Sequence, residues 1–457
     1  MTVNNSNLCL PLRFSSLPPP TSSLLGSSTS MFRDDVQSPL LFDAESRQQL
    51  ERHPDLWFDD GSVICRAQNT LFRVHMSQLA RHSVCFRDMF SVGSFSDPTI
   101  SSSIVHDDGS AAFENSPVIV LHDSAEDVGN LLTALYDGPN FGNNGREDFR
   151  VVSGILRLST KYIIEPLREK ALAHLSVAWP STLKGWDARE DVARSFEMET
   201  GTLGGHFYPS PIAVINLARQ IDASSLLPAA LYDLSRYPFS QIFEPDEDDP
   251  LYVTPPPDTE PCSSSSSSHS SLSLQDTQRL CVGKEAAQHT ITTLIQAMGN
   301  SQSIRNNTHF QPTFSLSHPL TTHNVINPYV VPAHHHHQQH RRSSSSLVCI
   351  SAAACRKDFN ELVELATQHY IFDRERGCCD PLYVAEELGQ LKSSEFSNLD
   401  PECKACARNL ELWAAKERER IWKVMPLWFG LEHSSSTALS DSGTGSDGTR
   451  SPPAVEL

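Results

Sequence analysis

Cys403-Lys404-Ala405-Cys406 is a C-x-x-C pair, and Cys349, Cys355, Cys378 and Cys379 fall in the same C-terminal block. Thiolates are good zinc ligands, and a C-x-x-C can set two of them on one tetrahedral ion. The spacing does not name the other two ligands, because the block offers an adjacent Cys378-Cys379 rather than a second C-x-x-C. The competing reading for all six is burial as small apolar side chains in a helical core, where unmetallated cysteine commonly sits. A thioredoxin-like redox role needs its C-x-x-C beside a βαβ unit, and the surroundings of Cys403 read as helical.

Histidines give two further candidates. His334 to His337, followed by His340, Arg341 and Arg342, could take a metal or a phosphate-rich partner. A run of that kind in low-complexity sequence is ordinarily solvated and builds no cage. His75 sits where a strand pattern gives way to a helical one, with no Ser or Cys nucleophile context beside it, and reads as a structural histidine. The chain holds no G-x-S-x-G, no phosphate loop and no H-E-x-x-H. A pocket lined by convergent polar groups is what would favour an unrecognised enzymatic chemistry instead.

Composition narrows the classes. The 457 residues allow two or three domains, but 30 prolines, long serine runs and a hydrophobic fraction of 39% leave a good part of the chain without core material. A net charge of −19 argues against direct nucleic-acid binding, which needs clustered Lys and Arg against phosphate. Eleven cysteines in no regular framework suit a reducing compartment. The first 20 residues lack a basic region followed by an apolar run, and no stretch reaches the roughly 18 apolar residues of a membrane span. The expected location is intracellular, cytoplasm or nucleus.

The elements that must position any site begin with Asp55 to Phe90. Val63, Cys65 and Ala67 alternate with polar neighbours as in a half-buried strand. Gln68-Asn69 makes a turn, and Phe72 and Val74 resume the alternation on a partner strand. After His75 the period changes to helical through Met76, Leu79 and Ala80. Ser83 stands at an N-cap position, with Phe86, Met89 and Phe90 on the next helix.

This segment resembles the start of a BTB/POZ domain, on Phe72-Arg73-Val74-His75, Leu79, Ser83, Phe86 and Met89-Phe90. With Trp57-Phe58-Asp59-Asp60-Gly61 ahead of the first strand it is similar to the large group of BTB proteins found in basidiomycete fungi, and Leu226-Leu227-Pro228-Ala229-Ala230-Leu231-Tyr232 continues the likeness. The resemblance implies an α+β unit of about 125 residues that associates with itself. It also implies recruitment of a further protein, a cullin-type ubiquitin ligase scaffold or a transcriptional partner. Classes that bind corepressors carry an Asp in the first strand and a basic residue just after the His; Ser62 and Met76 stand approximately there. Cullin adaptors often carry a hydrophobic-x-Glu motif after the second helix, for which the loop offers Ala112-Phe113-Glu114.

The rest of the chain fills in the unit. Ser91 to Pro117 shows no period, and Pro117 to Leu121 reads as a buried strand. Ser124 and Asp127 form a weak capping box ahead of Val128, Leu131, Leu132 and Leu135 on one helical face, which Asp137-Gly138-Pro139-Asn140 ends. Val151, Ile155, Leu158 and Tyr162 make the next stripe. Pro166 then opens a helix carrying Leu167, Ala171, Leu175 and Trp179. Residues 181–210 read as a polar connector. From Pro211, Val214, Leu217, Ala218 and Ile221 and then Leu227, Ala230, Leu231 and Leu234 predict a helical hairpin. A helix near Lys284 carries Ala287, Ile291, Leu294, Ile295 and Met298; another carries Phe359, Leu362, Val363, Ala366 and Tyr370; a last one runs from Leu410 to Met425 and is stopped by Pro426.

The expected architecture is thus α+β: a disordered tail at 1–50, a BTB/POZ domain (a small sheet flanked by helices) at 55–180, and a discontinuous all-α domain. The all-α part comprises 211–298, containing an acidic and serine-rich linker at 240–275, then a low-complexity insertion at 299–346, helices at 347–430 and a disordered tail at 431–457. The expected function is a non-enzymatic protein-interaction module that forms a homodimer and recruits partners, with no nucleic acid, membrane, cofactor or catalytic residue involved. The alternative is a zinc-stabilised helical regulator that works through the C-terminal cysteines.

Overall fold

In a computed structural model of the chain, the described residues are 40–92, 104–110, 112–113, 116–201, 207–245, 249, 251–252, 271–300, 304, 349, 351–372, 378–392 and 403–431. The architecture is α+β. Strands β1 (Leu41–Asp43), β2 (Gln49–Trp57), β3 (Val63–Ala67) and β4 (Thr70–Val74) lead into helices α1 (Met76–His82) and α2 (Val84–Val92). After them come β5 (Ile104–His106), β6 (Val118–Leu121), α3 (Ala125–Tyr136), α4 (Asp148–Lys161), α5 (Glu165–Ala178) and α6 (Leu183–Thr200). The helical part continues through α7 (Pro211–Gln220), α8 (Leu227–Ser235), α9 (Phe239–Phe243), α10 (Leu274–Gly299), α11 (Ala352–Thr367), α12 (Pro381–Gln390) and α13 (Lys404–Trp428).

The sheet runs β5-β1-β2-β4-β3-β6. The hairpin pairs Cys65 with Phe72 and turns at Gln68, whose φ of 51° is left-handed. β2 lies parallel to β4 with a register break between Arg52 and Trp57, where Pro54 has no N–H to give the ladder. The His53 ring closes that break, its Nδ1 accepting from the N–H groups of Asp55 and Leu56, both at 3.2 Å. Val63, Cys65, Ala67, Phe72, Val74, Ile119 and Leu121 turn to the helices and enter the main core.

The half-buried strand expected from the alternation is buried on both faces. Ile64, Leu71 and Val118 point the other way, into a second core with Leu41, Leu50 and Ile104, flanked by Trp57 and Phe113. That cover comes from two stretches read as unstructured. Residues 40–50 belong to the sheet rather than to a disordered tail, so the α+β unit starts at β1, not at residue 55. Asp43 explains the anchoring: it is ion-paired to Arg66, and its Oδ1 accepts from the Ser46 N–H at 2.7 Å. Burial pushes its carboxyl up, but the Ser46 and Arg66 hydrogen bonds prevail and hold it at about 2. Likewise β5 lies inside the expected loop and pairs with β1 through Phe42 and Val105.

The helix starts follow their caps. Ser83 Oγ accepts from the Phe86 N–H at 3.0 Å and donates to the Tyr162 carbonyl at 2.6 Å, fastening α2 to the end of α4. Ser124 Oγ accepts from the Asp127 N–H at 3.1 Å, but the Asp127 carboxylate completes no capping box; it grips Arg157 in a bidentate pair instead. Val63, Phe72, Leu79, Phe86, Leu131 and Ile155 share one interior, and that interior continues without interruption to Ile421, Met425 and Phe429.

Four expected boundaries change. The polar connector at 181–210 contains α6, whose inward side is Trp186, Arg189 and Ala193. The expected linker at 240–275 is anchored at its start: α9 lies there, Leu251 is fully buried, and the Ser210 hydroxyl donates to its carbonyl at 3.0 Å. The helix expected near Lys284 begins ten residues earlier, capped by Ser273, whose Oγ accepts from the Asp276 N–H. Pro426 does not stop α13, which runs on to Trp428; the missing N–H falls in the last turn, where it costs one helical bond. Apart from residues 299, 300 and 304, the low-complexity stretch 299–346 with its histidine and arginine run from His334 to Arg342 lies outside the described residues, as do residues 1–39 and 432–457.

Candidate functional site

Packing divides the six cysteines into two groups. Cys355 lies in the first turn of α11, Cys349 just ahead of that helix, Cys403 at the N-cap of α13 and Cys406 in its first turn. Their four Sγ atoms all lie within 4.8 Å of one another, with Cys349 and Cys355 at 3.5 Å. Cys406 is fully buried, and Cys355 and Cys403 are nearly so. Burial pushes the Cys355 thiol up to about 11, aided by the hydrogen bond to Cys349, and burial also raises that of Cys406. The bland reading, small apolar side chains in a core, describes each thiol singly but not the meeting of all four.

Cys378 and Cys379 sit elsewhere, beside α10. Lys284 is buried there and donates to the carbonyls of Ser235 at 2.7 Å and Tyr237 at 2.6 Å. Its Nζ is 3.8 Å from Cys379 Sγ, and Gln288 Nε2 is 3.5 Å away. The Cys378 thiol, 3.8 Å off, draws the Cys379 thiol down; burial opposes it, the Lys284 charge assists, and the outcome is about 6. Cys379 is therefore expected to react with iodoacetamide along a profile rising through pH 6, whereas an ordinary thiol rises near 8.5. Peptide mapping at a series of pH values measures this, Lys284→Met should move the midpoint upward, and a wild-type midpoint above pH 8 would contradict the geometry.

Cys379 lies on the wall of a cavity of about 630 Å³ between α6, α8 and the start of α12. Convergent polar groups line it, as an unrecognised enzymatic site would require, but its central charges are engaged with one another. Arg189 is paired with Asp233 and Glu190, and Arg236 with Asp233, with Glu190 at 2.8 Å and with Asp380 at 3.3 Å. Arg189 also lies over the rings of Tyr208 at 4.4 Å and Trp186 at 4.7 Å. Burial pushes the Glu190 carboxyl up, yet the Arg236 and Arg189 guanidiniums hold it at about 2. Among the described residues that line it there is no histidine beside Cys379. Sequence reasoning missed this network because Arg189, Asp233 and Asp380 are far apart in the chain and each passes for a solvent-facing charge.

The remaining sequence candidates that lie among the described residues make contacts within the fold. His75 Nδ1 lies 2.9 Å from the Tyr136 hydroxyl, which also accepts from the His75 backbone N–H, and Nε2 is 3.2 Å from Asp60. Ser62 Oγ accepts from the Met76 N–H at 2.9 Å and so holds the start of α1. Phe113 packs on Trp57 at 5.8 Å between ring centres, with Ala112 beside it in the second core; Glu114 is outside the described residues. Among the described residues no helix is long and apolar enough to cross a membrane. No family model matches the chain, and no curated protein matches it.

Proposed function

We propose that the protein is a non-enzymatic interaction module: an α+β unit of the BTB/POZ kind that self-associates and presents the helical part to further proteins. The observation that carries this reading is the order of elements around one interior. Hairpin (β3, β4), helix pair (α1, α2), strand (β6), helix (α3) and helix pair (α4, α5) is the succession the resemblance implies, and all of them contribute to a single core. The polar residues of that unit support it, since His75, Ser62, Ser83 and Asp127 are each spent on holding elements together. Apolar side chains left outside, among them Val84, Val92 and Ile163, supply surface whose removal from water drives association at about 25 cal/mol per Å².

Because the core runs on into the helical part, the full chain rather than an isolated N-terminal fragment is the object to measure. Light scattering on the 457-residue chain at micromolar concentration should report twice the 50.6 kDa of one chain. A monomer there removes the self-association. Recruitment is tested by co-sedimentation with a purified cullin or a transcriptional partner, the two partner classes that the resemblance implies.

A further inference from the structure

The interaction reading leaves the C-terminal cysteines without a role, and four of them meet. We propose that Cys349, Cys355, Cys403 and Cys406 form a structural zinc site, four thiolates on one tetrahedral ion, that ties the N-terminus of α11 to that of α13. The site stands on those two helices and does not depend on self-association.

Zinc holds sulfur at about 2.3 Å, so the sulfurs of a regular tetrahedron lie about 3.8 Å apart. The four Sγ atoms are mutually within 4.8 Å, and those of Cys349 and Cys355 are 3.5 Å apart, so small side-chain rotations bring all four to that spacing. Two disulfides would require only that each sulfur meet one partner at about 2.05 Å. Mutual adjacency of four sulfurs is what a shared ion requires. The ligand set selects the metal class: all-thiolate donors favour zinc over the hard cations, and four protein ligands leave no open position for catalysis.

The backbone supports the charge. Cys355 and Cys406 each lie in a first helical turn, and Cys403 stands at the N-cap position of the second helix. The positive dipole ends of a 16-residue and a 25-residue helix thus meet where a tetrathiolate centre would carry two negative charges. The centre has mechanical work as well. α11 packs on α10, and α13 packs on α12 and α10, so the ion would add a direct tie between the starts of α11 and α13.

The purified 457-residue chain, prepared without chelator, should carry about one zinc per chain by elemental analysis, and Cys355→Ser and Cys406→Ser should drop below about 0.2. A Cys378→Ser, Cys379→Ser double variant should keep its zinc, which separates this site from the other thiol pair. Cobalt(II) exchanged into the wild-type protein should give the intense visible absorption of a tetrahedral tetrathiolate, a readout that does not need the variants to fold. Stripping the metal should lower the thermal midpoint by several degrees. Folded wild-type protein that takes up neither zinc nor cobalt, folded Cys406→Ser that retains zinc, or two disulfides among these four cysteines by mass spectrometry would each overturn the proposal.

Discussion

Asp233→Asn is expected to destabilise the protein by about 3–5 kcal/mol, the range for removing one partner from a buried ion pair. The Arg189 and Asp233 side chains are 4% and 3% exposed, so the guanidinium cannot turn to water once this carboxylate is gone and is left with Glu190 as its one remaining carboxylate among the described residues. Arg236 loses the same partner and keeps only Glu190 and Asp380. The consequences spread because the network spans three elements. Arg189 and Glu190 come from α6 and Asp233 from α8, with Arg236 just past its end. Asp380 caps α12, accepting from the Tyr383 N–H at 3.0 Å and from the Tyr232 hydroxyl at 2.7 Å. Replacing Arg189 and Asp233 together by leucine should cost much less than either single change, since no orphaned charge remains. Urea denaturation of the full chain measures all of these, and a loss below about 1 kcal/mol for Asp233→Asn would show that water reaches Arg189. The same network predicts the acid limb. Glu190 is held at about 2, below its ordinary value, so its contribution is complete above the unfolded value and is lost as pH falls toward 2.

The parts of this fold legible in the sequence are those whose signal is local and repeated. Val128, Leu131 and Leu132 show their face because a helix repeats it within one turn, and Ser124 marks the start through a bond three residues on. The hairpin is legible because Cys65 and Phe72 lie close in sequence as well as in the ladder. β1 and β5 are three residues each, too short to display a period, and their justification is distant: Asp43 with Arg66, Leu41 with His106. α6 hides for another reason. Its buried side is Trp186, Arg189 and Ala193, and an arginine bonded inside the protein reads in sequence as one facing water. The cysteines show both limits at once. Residue type offered zinc as one of two readings, but the grouping of four from six is made by the meeting of two helix N-termini, and C-x-x-C spacing near Cys403 cannot express the approach of Cys349 and Cys355.

Gly283→Ala is expected to destabilise the wild-type protein although it replaces a poor helix former in the body of α10, where alanine ordinarily gains about 1 kcal/mol. A Cβ at position 283 would stand 2.0 Å from Cε1 and 2.3 Å from Cδ1 of Phe429. Phe429 is fully buried just past α13, so its ring has no vacant space to swing into, and overpacking of this kind costs about 1–3 kcal/mol. The adjacent Lys284, bonded to the carbonyls of Ser235 and Tyr237, stops α10 from sliding away to make room. Phe429→Ala alone should cost about 3–5 kcal/mol by opening a cavity where α13 ends. In that background the obstacle is gone, so adding Gly283→Ala should become neutral or stabilising by up to about 1 kcal/mol. The sign reversal across the four proteins is the diagnostic, read from equilibrium denaturation. If Gly283→Ala stabilises the wild type, the close approach of α10 to the end of α13 is wrong, and with it the continuity of the core from the sheet to the last helix.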